Sequence, residues 1–171
     1  MTLAFFGFLR IGELTCNLTF DPKYNLMKRD MTFMPRCSPK CMLVHIKVSN
    51  TDPFRLGQTI DIGKTNLFLC PISGMVAYLN SRPFPSDSGP LSPYKCGTFL
   101  TWEKFTRETR LLIIKKGLNS TEFAGRSFRI GVATAGLSPW LIKVLGRWSS
   151  DCFERYKKPD LLCWNRSPTA G

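Results

Sequence analysis

"CMLVHIKVSNTDPFRLGQTIDIG", residues 41–63, holds two short runs rich in β-branched residues on either side of a punctuated turn. Each run is partly alternating, as a strand with one buried face requires. The link "NTDPFRLG" carries Asp-Pro and Gly, residues that favour turns, so the pair is expected to form a hairpin. A similar run, "DMTFMP" at 30–35, supplies a third strand. Downstream, "LCPISGMVAYLNSR" places Met75, Val76 and Leu79 at helical spacing, with Pro71 suited to the first turn. "PFPSDSGPLSP" at 83–93 reads as a loop. Thr101 is expected to cap a helix over "WEKFTRETRLLIIKKG", which stops at Gly117. From Ser127 to Tyr156 the pattern gives two or three short helices divided by "GLSP" and "GRWSSD". Residues 2–9 are apolar with helix-compatible spacing, and a domain rarely begins inside such a run. The chain is therefore expected to start part-way into a larger protein. The order helix, small antiparallel sheet, helices specifies an α+β domain.

Composition narrows the partners. The chain has 171 residues, 43% of them hydrophobic, enough for one domain with a real core. Lys and Arg number 24 against 12 Asp and Glu, giving a net charge of +12. Such an excess points to a polyanionic partner, nucleic acid or an anionic membrane surface. No basic region precedes the apolar run at the start, which argues against a secretory signal, and no stretch approaches the ~20 apolar residues of a membrane span. The cysteines at 16, 37, 41, 70, 96, 152 and 163 are odd in number and scattered, which suits reduced intracellular thiols. Cys37, Cys41 and His45 are spaced four apart but lack a second ligand pair, and Pro39 interrupts any helix through the first two. No metal or cofactor is expected.

Four features suit one reaction. Arg10 precedes Glu13 by three residues in "LRIGEL", so the carboxylate can orient the guanidinium. Arg129, in "GRSFRIG", lies near an expected helix start, where free amides also favour an anion. Trp148 offers an indole N–H and Tyr156 a phenol among basic residues. Two arginines can grip the non-bridging oxygens of a phosphodiester while a tyrosine oxygen attacks phosphorus, with no metal required.

In "FFGFLRIGELT", "VSNTDPFRLGQTIDIG", "LCPISGMVAYL", "GRSFRIGVAT" and "IKVLGRWSSDCFERY" the chain resembles the tyrosine recombinases, the phage-integrase-like enzymes that break and rejoin DNA. It is especially similar to the recombinases of eukaryotic mobile elements, of the crypton and tyrosine-recombinase retroelement kind. The resemblance spans residues 3–156 and implies a mainly helical catalytic core with a small three-stranded antiparallel sheet. On that basis residues 1–158 form the catalytic-like domain, partial at its N-terminus, and 159–171 a C-terminal tail. The resemblance implies that a helical DNA-clamping domain would precede these residues, together with the first part of the catalytic domain. The resemblance makes Arg10 and Arg129 the catalytic arginines, Glu13 the acidic supporter of the first and Trp148 the occupant of a His-or-Trp position. Tyr156 becomes the nucleophile of a 3′-phosphotyrosyl intermediate. It further implies double-stranded DNA as partner, a homotetramer on two duplexes, and an intracellular, DNA-associated or nuclear location. In such a tetramer the tail, through Leu161, Leu162 and Trp164, would dock on a neighbour.

Departures from the family pattern point to impaired chemistry. Where His-x-x-Arg is usual, the chain reads Arg126-Ser-Phe-Arg129, and arginine, with a pKa above ~12, cannot act as a base. Asn50 stands where the hairpin usually supplies a general-acid lysine. Loss of one such group typically costs ~10²–10⁴-fold in rate. Lys47, Arg55 and Lys64 are weak substitutes for it, and these three with Arg147 are the candidates for contacts with DNA phosphates. Lys47 is expected to face away from the site. The run from Arg129 to Trp148 is roughly one helical turn shorter than the family pattern, which would shift Trp148 by about 5 Å unless "AGLSPW" re-routes the chain.

Overall fold

Strands β1 (Met31–Met34), β2 (Cys41–Ile46) and β3 (Gln58–Gly63) form one antiparallel sheet in the order β1-β2-β3. The computed structural model describes residues 1–49, 52–82, 87–93, 98–125, 127–134 and 137–148. Alternation sets the register of the sheet. Met42, Val44 and Ile46 of β2 are buried, and Met42 pairs across to Ile62, the buried residue of β3. The opposite face is more open and mixed, with His45 opposite Thr59 and Leu43 between Thr32 and Asp61. A one-residue slip would expose the whole apolar set, so the register is strongly fixed. In the loop joining β2 to β3, the Asp52 carboxylate accepts the Gly57 N–H at 2.7 Å. Gly57 has φ +72° and lies against the His45 ring and Ile46 carbonyl, where a side chain would not fit.

Six α-helices accompany this sheet among the described residues, so the domain is α+β. Helix α1 (Thr2–Phe6) and α3 (Pro71–Ser81) close over its buried face. Leu3, Leu9, Leu26, Ile72 and Leu91 join the strand residues there in the main core. Burying each such side chain stabilises by roughly 1.5–3 kcal/mol. Pro71 occupies the first turn of α3, as the sequence implies. The tail of the 83–93 segment does more than connect. Leu91 is buried, its N–H donates to the Leu26 carbonyl, and its own carbonyl accepts the Tyr78 hydroxyl at 3.0 Å.

Helix α2 (Ile11–Leu14) is a single turn. Helix α4 (Trp102–Lys115) starts at Thr101, whose hydroxyl accepts the Lys104 N–H, and Gly117 follows its end with φ +72°. Both boundaries match the sequence reading. Helix α5 (Ser127–Ala133) lies against α1, and its Phe128 meets Phe105 of α4 edge-on at 5.6 Å. Helix α6 (Pro139–Gly146) begins at Ser138, whose hydroxyl accepts the Leu141 N–H. It ends in a Schellman turn: the Arg147 and Trp148 N–H groups donate to the Val144 and Lys143 carbonyls. No helix among the described residues is long and apolar enough to cross a membrane.

Candidate functional site

The single turn α2 is held by Glu13, whose Oε2 accepts the Arg10 backbone N–H at 2.9 Å, the carboxylate half of a capping box. Anchored in this way, the buried carboxylate becomes a hub. Its Oε1 accepts from Arg10 Nη1 at 3.2 Å and its Oε2 from Arg147 Nη2 at 2.7 Å. Arg10 Nη1 also donates to Ser49 Oγ at 2.6 Å, which ties the foot of the β2–β3 loop to the same point.

The two guanidiniums differ in access. Glu13 and Arg147 side chains are each 4% exposed, whereas Arg10 retains 22% and can meet a ligand from solution. Burial pushes the Arg147 pKa below its ordinary value, an effect Glu13 partly offsets, yet an arginine stays protonated. Arg147 Nη2 also donates to the Phe8 carbonyl at 3.3 Å, while its Nε and Nη1 meet no acceptor among the described residues. Buried donors in that state are costly unless an anion or water satisfies them.

Arg129 joins through the same turn. Its Nη2 donates to the Gly146 carbonyl, and its guanidinium carbon lies 4.3 Å from the centre of the Trp148 ring. That is a cation–π distance. A Cβ at Gly146 would come within 2.3 Å of that ring, so only glycine lets Trp148 fold back this far. Gly146, Arg147 and Trp148 thus link Arg129 to the Arg10–Glu13 pair. The shift of Trp148 raised by the short 129–148 run does not separate it from Arg129. The chain reverses at Arg147, whose φ of +53° and ψ of +46° are left-handed, and returns Trp148 over the helix end. An arginine there costs of order 1 kcal/mol relative to glycine, and in return delivers its guanidinium to Glu13.

Among the described residues two guanidiniums meet the one carboxylate and a third, Arg129, is tied to the same turn, an arrangement suited to an anion. The outlying candidates sit elsewhere. Lys47 does not reach into the cluster: it pairs with Asp30 at 2.6 Å and donates to the Pro22 and Asn25 carbonyls. Arg55 is exposed with φ +54°, reaching the Tyr24 hydroxyl at 3.3 Å, and Lys64 is exposed just past β3. Arg147, named from the sequence as a candidate DNA-phosphate contact, faces inward onto Glu13. Asn50, Arg126, Tyr156 and the tail 159–171 lie outside the described residues. Sequence reasoning did not find Ser49 as a partner of Arg10 or Arg147 as the second partner of Glu13. The available signal for the latter was the helix-ending "LGR", an arginine directly after the glycine of a helix end. Among the described residues no three His, Cys, Asp or Glu side chains gather to hold a metal. No protein-family model matches the chain, and no curated protein matches it significantly.

Proposed function

We propose that this chain is a duplex-DNA-binding domain of the tyrosine recombinase class, in which Arg10 and Arg129 grip a backbone phosphate and strand transfer through Tyr156 is impaired. The observation that carries the reading is the buried Glu13 carboxylate shared by Arg10 and Arg147, with Arg129 tied to the same turn through Gly146 and Trp148. Arginines held in this way need no reorganisation when an anion arrives, which is what electrostatic stabilisation of a phosphoryl transition state requires. The partly exposed Arg10 and the net charge of +12 favour capture of a polyanion from solution.

In the reaction such a domain performs, the tyrosine oxygen forms a bond to phosphorus and the 5′-oxygen leaves with a proton. A second strand's hydroxyl then displaces the tyrosine, so the phosphodiester is conserved. The arginines neutralise charge on the non-bridging oxygens, and the Trp148 ring holds Arg129 flat. Proton delivery is the weak step, because Asn50 and Arg126 replace the groups that carry it. Those two residues also favour a second reading, a degenerate mobile-element module that binds DNA and does no chemistry. Within the first reading the domain works as a homotetramer on two duplexes in a DNA-associated, nuclear setting.

A nicked duplex that lacks the 5′-hydroxyl acceptor separates the two. The first reading expects a slow covalent adduct, lost in Tyr156→Phe and raised when Arg126→His is combined with Asn50→Lys. DNA binding without adduct in any variant leaves the degenerate module. Arg129→Ala should weaken DNA binding under both readings, and unchanged affinity would count against any phosphate site.

A further inference from the structure

A cavity of about 710 Å³ opens between β1, the turn after it and α3, away from the arginine cluster. Its volume is in the range of small-molecule clefts. One wall is apolar, from the partly buried Phe33, Val76 and Leu79. The other carries Lys28, Arg29 and Arg36 against a single carboxylate, Asp87. Lys28 and Asp87 neutralise each other at 2.8 Å, whereas Arg29 and Arg36 form no ion pair among the described residues. Two arginines without an ion pair among the described residues, lining the same cavity as three apolar side chains, match a ligand with one strongly anionic end and one flat or apolar end. Arginine's planar fork suits phosphate, which it binds bidentately.

We propose that this cavity binds an organic phosphate of nucleotide size, its phosphates on Arg29 and Arg36 and its base against Phe33, Val76 and Leu79. The site is separate from the Glu13 cluster and does not depend on strand-transfer chemistry. Free nucleotides and the 5′-phosphorylated end of a DNA strand both present this chemistry.

Calorimetric titration of the full chain with dATP and, separately, with orthophosphate tests it, at a salt concentration that screens long-range attraction to the net positive surface. The apolar wall predicts dATP binding at least ~10-fold tighter than orthophosphate, and the exposed pair Arg29→Ala with Arg36→Ala should weaken dATP by ~10-fold or more. Lys115→Ala, an exposed lysine on α4 outside the cavity, should leave the affinity unchanged. Competition by a 5′-phosphorylated oligonucleotide at lower concentration than dATP identifies a strand end as the source, and weaker competition identifies the free nucleotide. No dATP binding, equal affinity for dATP and orthophosphate, or an undiminished affinity in the paired arginine variant would each overturn the proposal.

Discussion

The sheet half and the C-terminal helical half of this domain are held together by different forces. Among the described residues, eleven buried side chains form the main core around β1–β3, whereas the cluster under α6 has one, Ile142, with Leu137 and Trp148 beside it. Burial of apolar area carries the first. In the second, Arg147 and Arg129 tie the end of α6 to α2 and α5 by polar contacts, while α4 and α5 pack on α1 and α2 through the smaller cluster of Ala4, Ile11 and Phe105. A region fixed by charge pairs is positioned with directional geometry but depends on every partner being present. The candidate phosphate site therefore sits where buried ionic contacts tie α6 to α2.

Removing the hub should give the largest effect. Glu13→Ala leaves the buried Arg147 without its counter-charge and is expected to cost about 3–5 kcal/mol, measured by urea unfolding. A loss below about 1 kcal/mol would mean that the ion pairs contribute little and that the two halves are joined by packing. Next, Met42→Ala, in the fully buried face of β2, should cost about 2–5 kcal/mol and lower protection across the whole sheet. Ile142→Ala should instead be felt locally, as faster amide exchange in α6 with the sheet unchanged. Equal loss of protection in both halves would erase the contrast.

A finer test lies in the left-handed turn. Both Arg147→Gly and Arg147→Ala lose the bond to Glu13, but glycine relieves the backbone, so the glycine variant should be more stable than the alanine by about 1 kcal/mol. The reverse order would show that φ at this position is not a source of strain. A test by pH concerns Cys70 at the start of α3. Burial would raise its thiol, but hydrogen bonds from the Ser73 backbone and side chain, then Thr65 and Ile72, outweigh this and hold it at about 6. The unfolded thiol, near its ordinary value, binds more protons over the interval from there down to about 6. Stability from this group is therefore fully present above the unfolded value and lost as pH falls. The stability gap between wild type and Cys70→Ser should widen from pH 6 to pH 9, and a gap independent of pH would remove the thiolate from the picture. Cys16, pushed up to about 11 by burial, stays protonated throughout that range.

Much of the sheet half was legible in the sequence because its signals are local. The alternation of Met42, Val44 and Ile46, Pro71 in a first turn, and Thr101 before a helical run each act within a few residues. The Arg10–Glu13 pair was readable for the same reason, being three apart. What the sequence hid was long-range. Arg147 reaches Glu13 across 134 positions, and Ser49 reaches Arg10 across 39. No spacing rule connects such residues. Lys47 shows the opposite limit: a basic residue beside the candidate hairpin invites a role with DNA, yet Asp30 and two carbonyls already occupy it. Burial and partners, not residue type, decide which cations remain for a ligand.

The central claim, that the Glu13 hub presents Arg10 to a backbone phosphate, is tested most directly by duplex-DNA affinity against salt concentration for wild type and Arg10→Ala. Arg10 is partly exposed, and its removal leaves the Glu13–Arg147 pair in place, so the fold should survive. A phosphate contact predicts weaker binding at every salt concentration and a log–log salt slope shallower by about one. Coincident binding curves for the two proteins would contradict it.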